Sequence, residues 1–96
     1  MLIPESVVEI GYCAFSNCPE LKKAEIPESV EYIGSLAFLK SRKLRRVVIP
    51  ESVKEIGNSA FEDCKNATII LKKHNKTLFG YDAFLGVRDV KEETGS

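Results

Sequence analysis

Apolar residues recur at the same places in four successive segments of 23 residues, which begin at Ile3, Ile26, Ile49 and Lys72. The first three segments share the pattern IPESVxxIGxxAFxx, and the fourth keeps only its later part. A fixed period of this size is typical of a solenoid, because one such repeat cannot bury its own apolar face and must stack on its neighbours. The sequence therefore predicts one domain over residues 1–96, with repeats at approximately 3–25, 26–48, 49–71 and 72–94, the last degenerate.

The end of each repeat predicts a short parallel strand. Ala24, Val47 and Ile70 are expected to point into the core, while the residues on either side of them point outward with the period of two of a strand. Superposition of the copies also places Ala67 and Val90 in one buried column. A proline near the start of each of the first three repeats cannot donate a ladder hydrogen bond, so the preceding strand is expected to end there.

The middle of each repeat predicts turns around a stack of phenylalanines. The segment SVxxIG is expected to be extended or turn-like, with its glycine supplying a backbone angle that other residues reach at a cost. In AFxxC, the phenylalanine and the cysteine column are spaced to lie on one side of a single helical turn. Stacked repeats then place four rings in a spine through the core: Phe15, Phe38, Phe61 and Phe84.

These columns resemble the BspA-like, or TpLRR-type, leucine-rich repeat family. The resemblance covers nearly the whole chain and rests on Pro, Gly, Ala-Phe and Cys recurring in register. It implies a leucine-rich repeat solenoid with short parallel β-strands on the concave face and turns and short helical segments outside. It also implies a bacterial, cell-surface or secreted protein with a non-enzymatic binding or adhesion function. The fourth copy departs from the family pattern, with Lys72-Lys73-His74-Asn75 in place of Ile-Pro-Glu-Ser.

The outward positions of the predicted strands supply the candidate partner-binding surface. Val48, Ile69 and Leu71 are expected to form an exposed apolar patch there, and such a patch commonly marks a contact surface for a protein or glycan partner. An alternative is that the fourth repeat and the tail after Val87 fold over the patch as a cap. The full set of candidate residues is Lys22, Lys23, Glu25, Arg45, Arg46, Val48, Ile69 and Leu71.

Charge and hydropathy exclude some partners. The 14 basic and 14 acidic residues cancel, so no long-range field draws the chain to nucleic acid or to an anionic membrane. No apolar run approaches the roughly 18 residues of a membrane-spanning helix. The first residues lack the charged and apolar blocks of a signal peptide. Nucleic-acid binding and a membrane span are therefore not expected.

Three cysteines, an odd number, do not form a closed set of disulfides. Cys18 and Cys64 lie two repeats, on the order of 10 Å, apart, and a disulfide requires Cα atoms within about 7 Å. Cys13 and Cys18 are separated by a short turn with poor geometry for a bridge. Small buried apolar groups are the favoured interpretation, with redox or metal roles as the alternative.

Two other interpretations stay open. The chain is alternatively a structural fragment of a longer array, or a unit that forms a homo-oligomer through unpaired strand edges at its ends. More weakly, five basic residues within positions 40–46 favour an anionic ligand, although the same run also fits a solvated turn facing Glu20 and Asp63.

The sequence contains no motif for catalysis, for cofactor binding or for metal binding. His74 is the single histidine, and the sequence has neither a phosphate-binding glycine loop nor a pair of cysteines at metal-ligand spacing. A stack of carboxylates at Glu5, Glu28 and Glu51 is expected to be solvated. No catalytic, cofactor-binding or metal-binding residue is therefore predicted.

Overall fold

Each repeat forms one rung of a parallel β-solenoid in the computed structural model, which describes residues 3–72 and 77–93. We number the rungs one to four in chain order. The strands form two sheets on different sides of the rungs. The back sheet contains β1 (Glu9–Ile10), β2 (Tyr32–Ile33), β4 (Glu55–Ile56) and β6 (Leu78–Phe79) in that order. The front sheet contains β3 (Arg46–Ile49), β5 (Thr68–Lys72) and β7 (Asp89–Glu93).

The predicted fold class is confirmed, and the sheet count is larger than expected. The front sheet corresponds to the predicted strands, and an isolated parallel bridge between Lys23 and Arg46 adds the first rung to it. The segments SVxxIG, which predicted only extended or turn-like chain, pair with each other as the back sheet. Their outer residues are exposed, while Ile10, Ile33 and Ile56 point into the core.

Tight turns replace the helical turn that the AFxxC spacing predicted, and residues 3–72 and 77–93 contain no helix. In the first rung, the N–H groups of Ala14 and Ser16 bond to carbonyls three residues earlier. Those of Cys13, Phe15 and Asn17 donate instead to carbonyls of the second rung, at 3.1, 2.7 and 2.6 Å. Alternate N–H groups therefore bond along the solenoid, which a helix does not allow because its bonds stay within the segment.

Left-handed backbone angles produce this alternation. Among the described residues, each rung has two with a positive φ, four positions apart, and a residue in this conformation turns the next peptide in a new direction. Seven of the eight are not glycine and carry the steric cost of this region. They are Cys13, Asn17, Leu36, Lys40, Ser59, Asp63, Asp82 and Gly86, with φ between 52° and 79°.

Space, not backbone angle, explains the glycine that precedes the run of turns in rungs two to four. Gly34 and Gly57 have no positive φ, so the angle expected from the sequence is wrong. A Cβ on Gly34 would lie 2.9 Å from the backbone carbon of Gly11, and a Cβ on Gly57 would overlap the nitrogen of Ser35. The missing side chain lets adjacent rungs approach closely at this point.

The phenylalanine stack forms the centre of the core, as predicted. Successive ring centroids lie 5.2, 4.9 and 5.8 Å apart from Phe15 through Phe38 and Phe61 to Phe84. The two middle rings are fully buried, whereas the two end rings are half-buried. These offset-stacked aromatic contacts add to the hydrophobic burial of the rings.

The register of the front sheet shortens along the chain. Lys23 pairs with Arg46, Arg46 with Thr68, and Thr68 with Asp89, which gives offsets of 23, 22 and 21 residues. The back sheet keeps an offset of 23 between every pair of strands. The third rung therefore has one residue fewer before its front strand than the second rung has, and one residue more after it. The fourth rung also has fewer residues between its turns and β7.

Candidate binding face

The outward positions of the front sheet form one continuous surface, which we call the front face. Side chains alternate along each strand, so every second residue points away from the core. These positions stack from rung to rung in two columns. One column is Lys23, Arg46, Thr68 and Asp89, and the other is Glu25, Val48, Ile70 and Lys91.

Six of the eight predicted binding residues lie together at the first two rungs. Lys23, Glu25 and Arg46 are exposed, and Val48 is half-buried on the front face. With Lys22, Arg45 and the edges of the core residues Ala24 and Ile26, they line a shallow depression of about 520 Å³. The structure therefore brings a charged group and an apolar floor together at this end of the face.

Ile69 does not lie on the front face, and its predicted exposure is wrong. Its exposed fraction is 0 %, and it pairs with Val47, which is equally buried. Leu71 pairs with Ile49 and packs partly buried against the core, so its outward assignment is wrong as well. The third rung has one residue fewer between Ala67 and its strand, and a shift of one residue exchanges the two faces of a strand.

Ile70 takes the position that the sequence assigned to its neighbours. It is half-buried beside Val48 on the front face, although it was expected inside the core. Thr68, Asp89 and Lys91 also belong to this face, and none of them is in the predicted set of binding residues. The run Thr68-Ile69-Ile70-Leu71 has a single polar residue to mark its alternation, and that residue, Thr68, was the available signal for the true phase.

The fourth rung extends the front sheet and does not cover the front face. β7 pairs with β5 through five successive residues, so the alternative of a cap folded over the apolar patch is wrong for the described part of the tail. Val90 stacks on Ile69 and not on Ala67, again because the front register has shortened. The face consequently stays open along its length in residues 3–72 and 77–93.

Ion pairs organise the charges on the front face. Lys23 Nζ lies 2.8 Å from Glu25 Oε1, and this hydrogen bond, together with the charge of Lys23, lowers the pKa of the exposed Glu25 carboxyl. Lys72 pairs with Glu93 at 2.9 Å across β5 and β7. Exposed pairs of this kind add little stability. Their effect is to hold the side chains in defined positions.

The basic run at positions 40–46 is divided by the fold. Ser41 and Leu44 are buried, Lys40 lies in a left-handed turn, and Lys43 pairs with Glu20 at 3.2 Å. The pairing with Glu20 agrees with the solvated-turn interpretation for this part of the run. Arg45 leaves the run and joins a second depression of about 360 Å³ with Lys22, Lys43 and Asn66.

The cysteine column serves the stacking of the rungs. All three thiols are free, with Cys64 buried and Cys13 and Cys18 half-buried. The Cys64 thiol donates to the carbonyl of Phe38 at 2.9 Å, and the Ser41 hydroxyl donates to the equivalent carbonyl of Phe15 at 2.8 Å. Burial raises the pKa of the Cys64 thiol to about 11. This thiol therefore stays protonated at neutral pH, where it is a poor nucleophile.

Metal-ligating clusters and membrane-spanning helices are both absent from the described residues. No group of three or more metal-ligating side chains occurs among residues 3–72 and 77–93. No helix in this same part of the chain is long and apolar enough to cross a membrane. His74 lies outside the described residues.

The rungs, the phenylalanine stack and the open front face define a repeat protein of the solenoid class. A family model, the BspA type leucine-rich repeat region (6 copies), matches residues 1–93. The chain belongs to this family, as the resemblance of its columns implied. No curated protein and no solved structure matches the chain significantly.

Proposed function

We propose that this chain is a non-enzymatic binding or adhesion module that contacts a protein or glycan through its front face. The observation that carries this proposal is the depression at the first two rungs, which Lys23, Arg45 and Arg46 line together with Val48. Its charged rim and apolar floor are the composition of a recognition surface. Membership of the leucine-rich repeat family supports a binding role, and on the same ground we propose a cell-surface or secreted, bacterial setting.

The basic side chains define the partner's chemistry. A guanidinium presents several donors in a plane, which suits carboxylate or sulfate oxygens bound in pairs. Val48 and Ile70 continue beside them as an apolar strip. A partner that offers acidic groups next to apolar atoms, such as an extended protein segment or an acidic glycan, fits this arrangement.

The test applies the labelled chain in solution to sulfated glycans, sialylated glycans and extracellular proteins arrayed on a surface, and measures the amount of chain captured. Arg46→Glu and Val48→Glu are each expected to lower capture about tenfold, because each places a buried or repelled charge in the contact. Lys65→Glu is the matched control, since it makes the same kind of charge change on an exposed residue outside the front face. Unchanged capture by both front-face variants would show that the face is not the binding surface.

A weaker candidate function is binding of an anion by the second depression. Lys22, Lys43 and Arg45 converge there, although Lys43 is already paired with Glu20. Affinity for a polyanion such as heparin is expected to fall steeply with salt, because released counterions contribute to such binding. An affinity independent of salt would exclude this function.

A further inference from the structure

The two ends of the solenoid carry complementary edges, and we propose that copies of this chain associate head to tail, with the fourth rung of one copy stacked on the first rung of the next. This contact shares Lys23, Ala24 and Glu25 with the depression on the front face. It can still be tested separately from the binding proposal, because Gly11 lies outside that depression. Four observations carry it: the charges of the two front edges, the backbone groups at the two ends, the exposed apolar surface at both ends, and the space at Gly11.

The front edges have opposite charge patterns. β7 forms the outer strand of the front sheet and presents Asp89, Val90 and Lys91, whereas the other end of the sheet presents Lys23, Ala24 and Glu25. Continuing the observed columns by one rung places Lys23 of the next copy beside Asp89, and Glu25 beside Lys91. Both charge pairs are attractive, and Ala24 meets the apolar Val90 between them. A shift of the register by two residues would lose this match, so the charges select one alignment.

The backbone at the two ends is complementary as well. In the third rung, the N–H groups of Ser59, Phe61 and Asp63 donate to carbonyls of the fourth. The equivalent N–H groups of the fourth rung belong to Asp82, Phe84 and Gly86, and they have no following rung among the described residues. The first rung presents the carbonyls that such donors would meet, those of Tyr12, Ala14 and Ser16. An unpaired edge of this kind favours pairing with another chain.

Apolar surface remains exposed at both ends. On the fourth rung, Phe79, Leu85 and Val90 have exposed fractions of 49 %, 54 % and 41 %. The first rung has a depression of about 220 Å³ lined mainly by apolar residues. The apolar residues that line this depression include Ile3, Val7, Ile10, Ala14 and Phe15. Stacking the two ends would place Phe15 of one copy against Phe84 of the other, which continues the ring stack.

The space beside Gly11 most clearly distinguishes the proposed assembly from the single chain. In rungs two to four, a Cβ on the corresponding glycine would collide with the preceding rung. At Gly11, nothing among the described residues lies within 4 Å of such a Cβ. In the head-to-tail contact, this space is occupied by the backbone of Gly80 and Tyr81 of the adjacent copy, as Gly11 and Tyr12 occupy it for Gly34. A side chain at this position is therefore compatible with the described part of a single chain and incompatible with the contact.

The contact joins two different surfaces, so a dimer keeps one free end of each kind. Such heterologous contacts continue into open filaments unless the rotation closes a ring. The front faces of successive copies would then form one extended surface. Association is expected to proceed beyond the dimer as the protein concentration rises.

The experiment is sedimentation velocity with light scattering on the 96-residue chain over a wide concentration range. The average mass of the wild-type chain is expected to increase with concentration. The double variants Lys23→Glu/Glu25→Lys and Asp89→Lys/Lys91→Glu each preserve the ion pair within their own rung. Each is expected to raise the apparent dissociation constant about tenfold, because both contacts between copies become repulsive. Combining all four substitutions restores attraction and is expected to restore association.

Gly11→Ala provides a second, uncharged test. It is expected to abolish the concentration dependence of the mass while leaving the circular dichroism spectrum and the unfolding curve of the dilute chain unchanged. A wild-type chain that stays monomeric at millimolar concentration would overturn the proposal. Association that survives Gly11→Ala, or a fourfold variant that associates no better than the two double variants, would overturn the proposed alignment.

Discussion

The turn side and the front side of this solenoid follow different rules of spacing. On the turn side and in the back sheet, corresponding residues are 23 apart in every rung, from the phenylalanine stack to the paired strands. On the front side, the offset falls from 23 to 22 and then to 21. The turn side and the back sheet therefore keep the 23-residue period, while the front strands slip relative to it.

Contacts between rungs explain this difference. On the turn side, rings lie about 5 Å apart, glycines permit backbone contact, and alternate N–H groups bond to the next rung. An inserted or deleted residue there would disturb all three. A front strand needs a paired backbone and alternating side chains, and it can slip by one residue if the side chains of the new phase suit their new faces. Thr68, polar and now outward, meets that condition.

The largest expected effect comes from removing a ring in the middle of the turn side. Phe38→Ala is expected to lower the free energy of unfolding by about 3–5 kcal/mol, because it leaves a cavity between two stacked rings. Phe15→Ala is the matched control, since Phe15 is half-buried and stacks on one ring only. Urea unfolding followed by circular dichroism measures both. Equal losses for the two variants would contradict a core centred on the middle rungs.

The next largest loss of stability is expected from a substitution that tests the register of the third front strand, β5. Ile69→Ala is expected to cost about 2–5 kcal/mol because Ile69 is fully buried. Ile70→Ala removes the same atoms from the adjacent, half-buried residue and should cost about 1 kcal/mol or less. The same unfolding measurement compares them directly. The opposite order would show that the third strand keeps the 23-residue spacing that its sequence suggests.

The sequence predicted the fold and most of the front face because both follow from repeated apolar columns. Pro27, Phe38 and Ala60 have counterparts in register, and these determine the stacking of the rungs. The phase of the third strand could not be read in the same way, because Ile69, Ile70 and Leu71 are chemically alike. Its register depends on contacts with Val47 and Ile49 across the sheet, which a sequence pattern does not contain.

The turns were mispredicted for a different reason. The spacing of AFxxC fits a helical turn, but left-handed residues such as Leu36 redirect the N–H groups toward the next rung. Neither leucine nor lysine favours that conformation, so local propensity argued against the observed turn. Bonds between rungs supply the compensating stability, and they become visible only when the repeats are stacked.

Replacing the glycine that lets adjacent rungs approach is expected to have a medium effect on stability, and the size of this effect depends on the rung. Gly57→Ala should lower the free energy of unfolding by about 1–3 kcal/mol, because the added Cβ overlaps the backbone of the second rung. Gly11→Ala makes the same change where the described chain leaves space. Measured by urea unfolding of the dilute protein, it should match the wild type. A large loss at Gly11 would imply that the glycine is required for its backbone conformation after all.

The smallest expected effect is a gain of stability at Lys40, one of the left-handed residues of the turn side. Its φ of 59° carries a steric cost that glycine lacks. Lys40→Gly is therefore expected to raise the free energy of unfolding by up to about 1 kcal/mol, after allowing for the greater freedom of glycine in the unfolded chain. Lys40→Ala removes the same charge and most of the same side chain but keeps the Cβ, so it should show no gain. If thermal unfolding gave both variants the same midpoint, the left-handed turn at Lys40 would carry no steric strain.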